Sequence, residues 1–256
     1  MTDPVVAIIP ARGGSKGIPR KNLRTVGGLS LVERSILHAK MSRRVDRIVV
    51  TSEDREILEH AEAAGAETVK RPDELATDTA SGDAVMIHAL REAGVESGLG
   101  VFLQPTSPLR PVGIIDKCIF ELEFYGYDSV FTAWEGHFIW YLYQENWNPF
   151  TEGAIPPPSA RPLLQSGGRK MRQQIPRTQI PQVENGSVYV TDIEKLVKAN
   201  NRVCGLIGIV TMEREDSIDI DTEYDLWIAE RRLEYLTEQR DARRGERLSR
   251  MAEADA

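Results

Sequence analysis

Residues 5–9, VVAII, are apolar without a break. A run of that length and kind suits a parallel strand covered on both faces, since a strand with one wet face would alternate. The same unit then recurs. SLVERSILHAK from Ser30 reads as a helix, with Ser30 and Glu33 spaced as a capping box. DRIVVTS reads as a strand, EDREILEHAEAAG as a helix stopping at Gly65, and ETVKRP as a shorter strand. TASGDAVMIHALREAG is a helix closed by Gly94, and GVFLQPTSPLR is a strand entering a proline-rich loop. Pro111 suits the first turn of a helix over VGIIDKCIFELEFYG, and DSVFTAW is again a strand. Regular strand–helix alternation predicts an α/β fold with a doubly wound, mostly parallel, Rossmann-like sheet. In such sheets ligands sit at the carboxyl ends of the strands. The loops after residue 10, after residue 103 and at Thr51–Glu53 all fall on that edge.

The alternation fails between about residues 135 and 182, where aromatics and prolines crowd without periodicity. A structureless stretch of that length is out of place inside a domain, so it reads as an insertion, a lid or an oligomerisation arm. Trp134, Trp140, Tyr141, Tyr143 and Trp147 suit either a partner surface or a small satellite core. GSVYVTD and CGLIGIVTM resume the sheet, and SIDID leads to a last helix over 222–238. The mixed-charge tail from 239 is a solvated helix extension or disordered. The expected parts are therefore 1–134, the insertion 135–182, the remainder 183–238 and the tail 239–256.

The formal net charge of −7 argues against general binding to nucleic acid. Two cysteines, Cys118 and Cys204, have no metal-ligand spacing and imply no disulfide framework, which fits a reducing cytoplasm. No apolar run is long enough for a membrane helix, so no membrane partner is expected.

Against that acidic background, ARGGSKGIPRKNLR carries Arg12, Lys16, Arg20, Lys21 and Arg24 directly after the first strand. Gly13, Gly14 and Gly17 allow backbone N–H groups to approach an anion closely. Arg12 offers a planar fork, while Lys16 and Lys21 act as point charges. A polyphosphate matches this set, and a solvated basic turn is the bland alternative. The spacing is neither a Walker loop nor a dinucleotide fingerprint. Near the other end, Asp219 and Asp221 in SIDID are two residues apart, and on a strand they share a face. Paired carboxylates repel unless a cation lies between them, and Mg²⁺ favours carboxylate plus phosphate oxygen. An exposed edge of alternating acids is the other reading. The four histidines, His38, His60, His88 and His137, suggest no catalytic triad.

These residues together resemble the acylneuraminate cytidylyltransferases. IIPARGGSKGIPRKNL is similar to that family's signature loop. KRPDELATDTA, LQPTSPLR, RQQIP, ENGSVYVT and IDIDTEYDLWIAE resemble its later blocks in the same order, over roughly residues 5–230. The resemblance implies the nucleotide-diphospho-sugar transferase type of fold with an inserted dimerisation arm. It also implies a reaction in which CTP and a nine-carbon 2-keto sugar acid give a CMP-sugar and pyrophosphate.

On the same grounds, Arg12, Lys16 and Lys21 are expected to hold the triphosphate and the leaving group. Ala11, Gly13, Gly14, Ser15 and Asn22 are expected to contact the nucleotide. Arg71 with Ala80 and Ser81 is expected to read the base, although Gly82 stands where a serine is expected. Gln104 is expected at the acyl amide of the acceptor and Arg172 at its carboxylate. Asp219 and Asp221 are expected to hold Mg²⁺, with Mn²⁺ as a substitute. The implied partners are CTP, a small acidic acceptor and a second copy, in a homodimer exchanging arms at 135–182. A different acceptor, such as a phosphonate, stays open, as does a non-catalytic nucleotide-binding scaffold. ARGGSKG is unlike the loop associated with enzymes of the eight-carbon lipopolysaccharide acid.

Overall fold

The computed structural model describes residues 3–136, 141–144, 159–162, 173, 175, 176 and 179–254. It divides into two units, Met1–Trp134 with Glu184–Ala256, and Glu135–Val183. In the larger unit the chain runs β1 (Val5–Pro10), β2 (Thr25–Val26), β3 (Leu29–Ser30), α1 (Leu31–Met41), β4 (Arg47–Ser52), α2 (Arg55–Ala63) and β5 (Glu67–Lys70). It continues through α3 (Gly82–Glu92), β6 (Leu99–Leu103), α4 (Ile114–Tyr125) and β7 (Ser129–Glu135). The smaller unit contains the antiparallel pair β8 (Tyr141–Gln144) and β9 (Ser159–Pro162). The chain ends through β10 (Gln182–Asp192), α5 (Ile193–Ala199), β11 (Ile207–Thr211) and α6 (Glu223–Ala254).

The seven-stranded sheet has the order β11-β7-β10-β6-β1-β4-β5. β1 pairs in parallel with both β4 and β6, and β10 runs antiparallel to β6. The unbroken apolar run of β1 follows from cover on both faces. Ala7 and Ile9 pack with Val32 and Ile36 of α1 and Ile119 of α4, whereas Val6 and Ile8 pack with Met86 and Leu90 of α3 and Ile193 of α5. After β1 the chain moves outward to β4 and β5, then returns to lay β6 on the opposite side of β1. The topological switch point therefore lies between β1 and β6, where a ligand crevice is expected.

The local signals act as their chemistry dictates. Ser30 caps α1 in a complete capping box with Glu33, Asp54 caps α2, and Ser81 caps α3. Three expectations are corrected, and of the two readings of the tail the helix extension is the one observed. Pro111 lies in a turn before α4, its carbonyl accepting from Ile114 N at 3.2 Å, and the helix starts after Gly113, whose φ is +82°. α5 is an additional element that the sequence pattern hides, because IEKLVKA is short and its cap, Asp192, also completes the strand pattern GSVYVTD. α6 runs on to Ala254 because the charged tail consists mainly of good helix formers. The stretch holding Asp219 and Asp221 is an extended connection outside the sheet, not a strand.

Both cysteines are free. Burial pushes the Cys118 thiol pKa up to about 12, which leaves it unreactive. Among the described residues no helix is long and apolar enough to cross a membrane.

Candidate functional site

A cleft of about 330 Å³ opens at the switch point. Its walls come from the segment after β1 (Arg12, Ser15, Lys21, Asn22), from that after β5 (Arg71, Thr77, Asp78, Ala80), and from that after β6 (Gln104, Pro105, Thr106). The connection before α6 adds Asp219 and Asp221. Two segments about two hundred positions apart in sequence thus face one space. What joins them is a small apolar cluster in which Ile18 and Ile220, both fully buried, pack with Val26, Leu31, Leu109 and Leu226. Ile220 is a plug between two aspartates, and its N–H donates to the Thr106 carbonyl at 2.9 Å. Gly17 permits the approach, since a Cβ there would lie 2.4 Å from the Asp221 carbonyl oxygen. Lys21 completes the junction, its Nζ donating to the Ile220 carbonyl at 2.7 Å and to Asp221 Oδ1 at 3.0 Å.

The five cations of the loop divide by role. Arg20 is tied to Asp54 at 2.5 Å and to Glu56, and Arg24 forms a two-pronged pair with Glu223 at 2.6 and 2.9 Å. These two fasten the loop to α2 and to α6. Arg12 and Lys16 instead grip opposite oxygens of one carboxylate, Asp78 Oδ1 at 2.6 Å and Oδ2 at 2.5 Å. The Lys16 side chain is 85% exposed, so it is held there by little else.

The loop's backbone is braced from behind. Ala11 is buried and its N–H donates to the Thr51 carbonyl at 3.0 Å. Asn22 is buried and donates from Nδ2 to the Arg12 carbonyl at 2.9 Å, so in this structure its amide closes the loop. Gly13 donates its N–H to Glu53 Oε1 at 2.7 Å, which takes that donor out of the set facing an anion. A side chain at Gly13 would collide with Asp54, its Cβ 2.3 Å from Oδ2. Gly14 has open space, and Ser15 Oγ is sealed from solvent without a hydrogen-bond partner.

On the far wall, Arg71 is 4% exposed and donates from Nε and Nη2 to Glu53 Oε2 at 3.0 and 2.8 Å. Ala80 lines the cleft, whereas the Ser81 hydroxyl is used as the cap of α3, accepting from Ala84 N at 3.1 Å. The space a side chain at Gly82 would need is taken by Arg202, with Nη1 3.0 Å from the Cβ position. Arg202 is stacked over Phe102 and Tyr189 and paired with Asp83 at 2.8 Å. Gln104 stands at the end of β6 against Gly186, where a Cβ would be 2.6 Å from its Oε1. The backbone there is held by buried Arg110, which donates to the carbonyls of Gln104 and Ser187 and to Ser35 Oγ. Burial lowers the Arg110 guanidinium pKa to about 9. Arg172 lies outside the described residues.

Asp219 is open to the cleft by surface area but crowded by protein within the concavity. That crowding, reinforced by the Asp221 charge, raises its carboxyl above the ordinary value, against a hydrogen bond from Thr106. Among the described residues no group of three or more histidines, cysteines or carboxylates is arranged to hold a metal. Sequence reasoning missed Asp78 and Glu53. Asp78 lies in the segment KRPDELATDTA and Glu53 in the Thr51–Glu53 turn at the ligand edge, but the partners of both are distant in sequence and spacing alone does not reveal them.

The fold and the cleft define a doubly wound α/β protein whose switch-point crevice brings the cations Arg12, Lys21 and Arg71 together with the carboxylates Asp78, Asp219 and Asp221. A family model described as cytidylyltransferase matches residues 6–140, more than half of the 256. The chain belongs to the cytidylyltransferase family, as its motifs imply. It is similar to N-acylneuraminate cytidylyltransferase A of Danio rerio, with 30% identity over 231 residues, covering 90% of this chain and 50% of that protein. It is also similar to the CMP-N,N'-diacetyllegionaminic acid synthase of Legionella pneumophila, 36% identical over 110 residues, 41% of this chain and 47% of that one. The chain spans about half the length of the Danio relative. Among solved structures, CMP:2-keto-3-deoxy-manno-octonic acid synthetase complexed with CTP superposes with a TM-score of 0.62 at 13% identity, covering 92% of this chain and 100% of that one. At that identity the likeness speaks to the fold alone, and it agrees with the mostly parallel sheet.

Proposed function

We propose that this chain is a CTP-dependent cytidylyltransferase that joins CMP to a nonulosonic, sialic-type acid and releases pyrophosphate. The observation that carries the reading is the junction of Lys21 with Ile220 and Asp221 in the cleft that Arg12 also lines. Positive and negative groups from the two ends of the chain meet there, as a magnesium nucleotide requires. Membership of the cytidylyltransferase family and the names of the curated relatives support the choice of CTP and of this acceptor class.

In this reading the triphosphate replaces the Asp78 carboxylate as the anion between Arg12 and Lys16. The acceptor hydroxyl attacks the α-phosphorus and gives up its proton to solvent, the bond to the bridging oxygen breaks, and pyrophosphate leaves. Arg12 and Lys21 keep their charge throughout and meet the negative charge that grows on the leaving group. Ser15, whose hydroxyl has no partner among the described residues, donates to a phosphate oxygen. Arg71 and Ala80 face the base, and Gln104 faces the acyl amide of the acceptor. The donor set of Asp219 and Asp221 fits Mg²⁺ or Mn²⁺. Burial first, and the neighbouring Asp221 charge after it, raise the Asp219 carboxyl, and a hard divalent cation between the two carboxylates would offset both. Held by Asp219 and Asp221, such an ion would supply Lewis-acid polarisation of the reacting oxygens. Arg172 is assigned to the acceptor's carboxylate, and residues 135–182 to an arm exchanged in a cytoplasmic homodimer.

The test is pyrophosphate release from CTP and Mg²⁺ with a panel of C5 and C7 acylamino sugar acids and phosphonates. Turnover with a sugar acid is expected. Turnover with phosphonates alone would move the acceptor, and silence with every acceptor while CTP still binds would leave a nucleotide-binding scaffold. Light scattering checks the dimer.

A further inference from the structure

Glu53 follows β4 at the carboxyl edge of the sheet and uses its two oxygens on two different segments. Oε1 accepts the Gly13 N–H at 2.7 Å, and Oε2 accepts both Nε and Nη2 of Arg71 at 3.0 and 2.8 Å. The first segment is the phosphate loop and the second is the opposite wall of the cleft. Both ion-pair partners are sheltered, with the Arg71 side chain 4% exposed and that of Glu53 18% exposed. A sheltered charge-assisted pair holds its geometry better than a surface pair, and here it is two-pronged on the guanidinium side. Neighbouring Asp54 repeats the arrangement by accepting from Arg20 further along the same loop at 2.5 Å.

Resting on the nucleotide reading of this cleft, we propose that Glu53 is a positioning residue that sets the spacing between the phosphate loop and the base-facing wall. It does so by holding the Gly13 backbone with one carboxylate oxygen and the Arg71 guanidinium with the other. Glu53 itself does not touch the ligand. Its consequence is that the two ends of the nucleotide site are mechanically joined, so that one substitution disturbs binding at both. A role confined to neutralising Arg71 predicts a disturbance at the base end alone.

The measurement is calorimetric binding of CTP and of inorganic pyrophosphate, which probes the phosphate loop without the base wall. It is run on the wild-type chain, Glu53→Gln, Glu53→Asp and Arg71→Met. Glutamine has one acceptor oxygen and a donor amide, so it cannot serve Gly13 and Arg71 together. Aspartate keeps the charge but is one methylene too short to reach both. Each Glu53 variant is expected to weaken CTP about tenfold or more and pyrophosphate several-fold, in line with the loss of one or two charged hydrogen bonds. The KM for CTP rises with the acceptor's KM unchanged. Arg71→Met, which cuts the bridge but leaves the Gly13 bond in place, is expected to weaken CTP strongly and pyrophosphate less than the Glu53 variants do. If Glu53→Gln does not fold, judged by circular dichroism and melting, Glu53→Asp carries the test. Pyrophosphate binding unchanged in a folded Glu53 variant would overturn the inference. Wild-type protein that binds pyrophosphate but not CTP would remove the nucleotide reading, and the inference with it.

Discussion

Lys21 is the residue on which the proposed chemistry turns. Its side chain is 16% exposed, and its ammonium is aimed by one carbonyl and one carboxylate from the far end of the chain. Lys21→Ala removes one hydrogen bond to the backbone, a stability loss of about 1 kcal/mol. In the proposed reaction it also removes a preorganised charge at the leaving group, so turnover is expected to fall ~100-fold or more. Comparing kcat with the urea midpoint separates the two, and an active variant would take Lys21 out of the site. A second residue-scale expectation concerns acid. His38 is only partly exposed and its Nδ1 is sealed without a partner. Burial, aided by the charges of Arg110 and Arg34, pushes its pKa from 6.5 down to about 3. Its folded pKa is therefore depressed. Above pH 6.5 both states are neutral there and nothing is lost. Between 6.5 and 3 the unfolded chain takes up a proton that the folded one refuses, and stability falls as pH falls, by at most ~1.4 kcal/mol per pH unit. His38→Leu should flatten that part of the stability curve; a wild-type curve of equal slope would contradict it.

At the scale of elements, the segment between β5 and α3 behaves as a counterweight to the phosphate loop. Asp78 supplies the anion that Arg12 and Lys16 grip, so a polyphosphate must displace it. Exposed pairs are worth little singly, and the two together set the scale of the competition. Asp78→Asn is expected to tighten CTP and pyrophosphate by about three- to tenfold. Weaker binding in the calorimeter would instead make Asp78 a contributor to the bound state. The same segment ends in the Ser81 cap of α3, which explains why that serine serves the helix and its neighbour Ala80 the cleft.

For the whole molecule, the decisive fact is that chain ends far apart in sequence converge. The buried pair Ile18 and Ile220 carries that convergence, and Lys21 and Gly17 exploit it. Asp221 then has to be both a partner of Lys21 and a prospective ligand. Asp221→Asn keeps the shape and an acceptor for Lys21 but halves the carboxylate set. Activity should then demand at least tenfold more Mg²⁺. An identical metal titration would mean that Asp221 serves only Lys21.

The sequence by itself determined the layered α/β class, because unbroken apolar strands such as VVAII and capped amphipathic helices are local, periodic signals. It also determined which segments reach the ligand edge, because glycines and cations after a strand have few other uses. It did not determine what each polar group does there. The sequence points to Gly13, Ser81 and Asn22 as nucleotide contacts, whereas the fold gives the Gly13 N–H to Glu53, the Ser81 hydroxyl to α3 and the Asn22 amide to the Arg12 carbonyl. Nor could it divide the five cations, of which Arg20 and Arg24 are structural ties, Arg12 and Lys21 line the cleft, and exposed Lys16 pairs with Asp78 at its edge. Hydrogen bonds and ion pairs are satisfied in three dimensions by whichever partner packing brings near. Asp78, Glu53 and the Thr106 bond to Asp219 therefore became visible only once β1, β4, β5 and β6 were laid side by side.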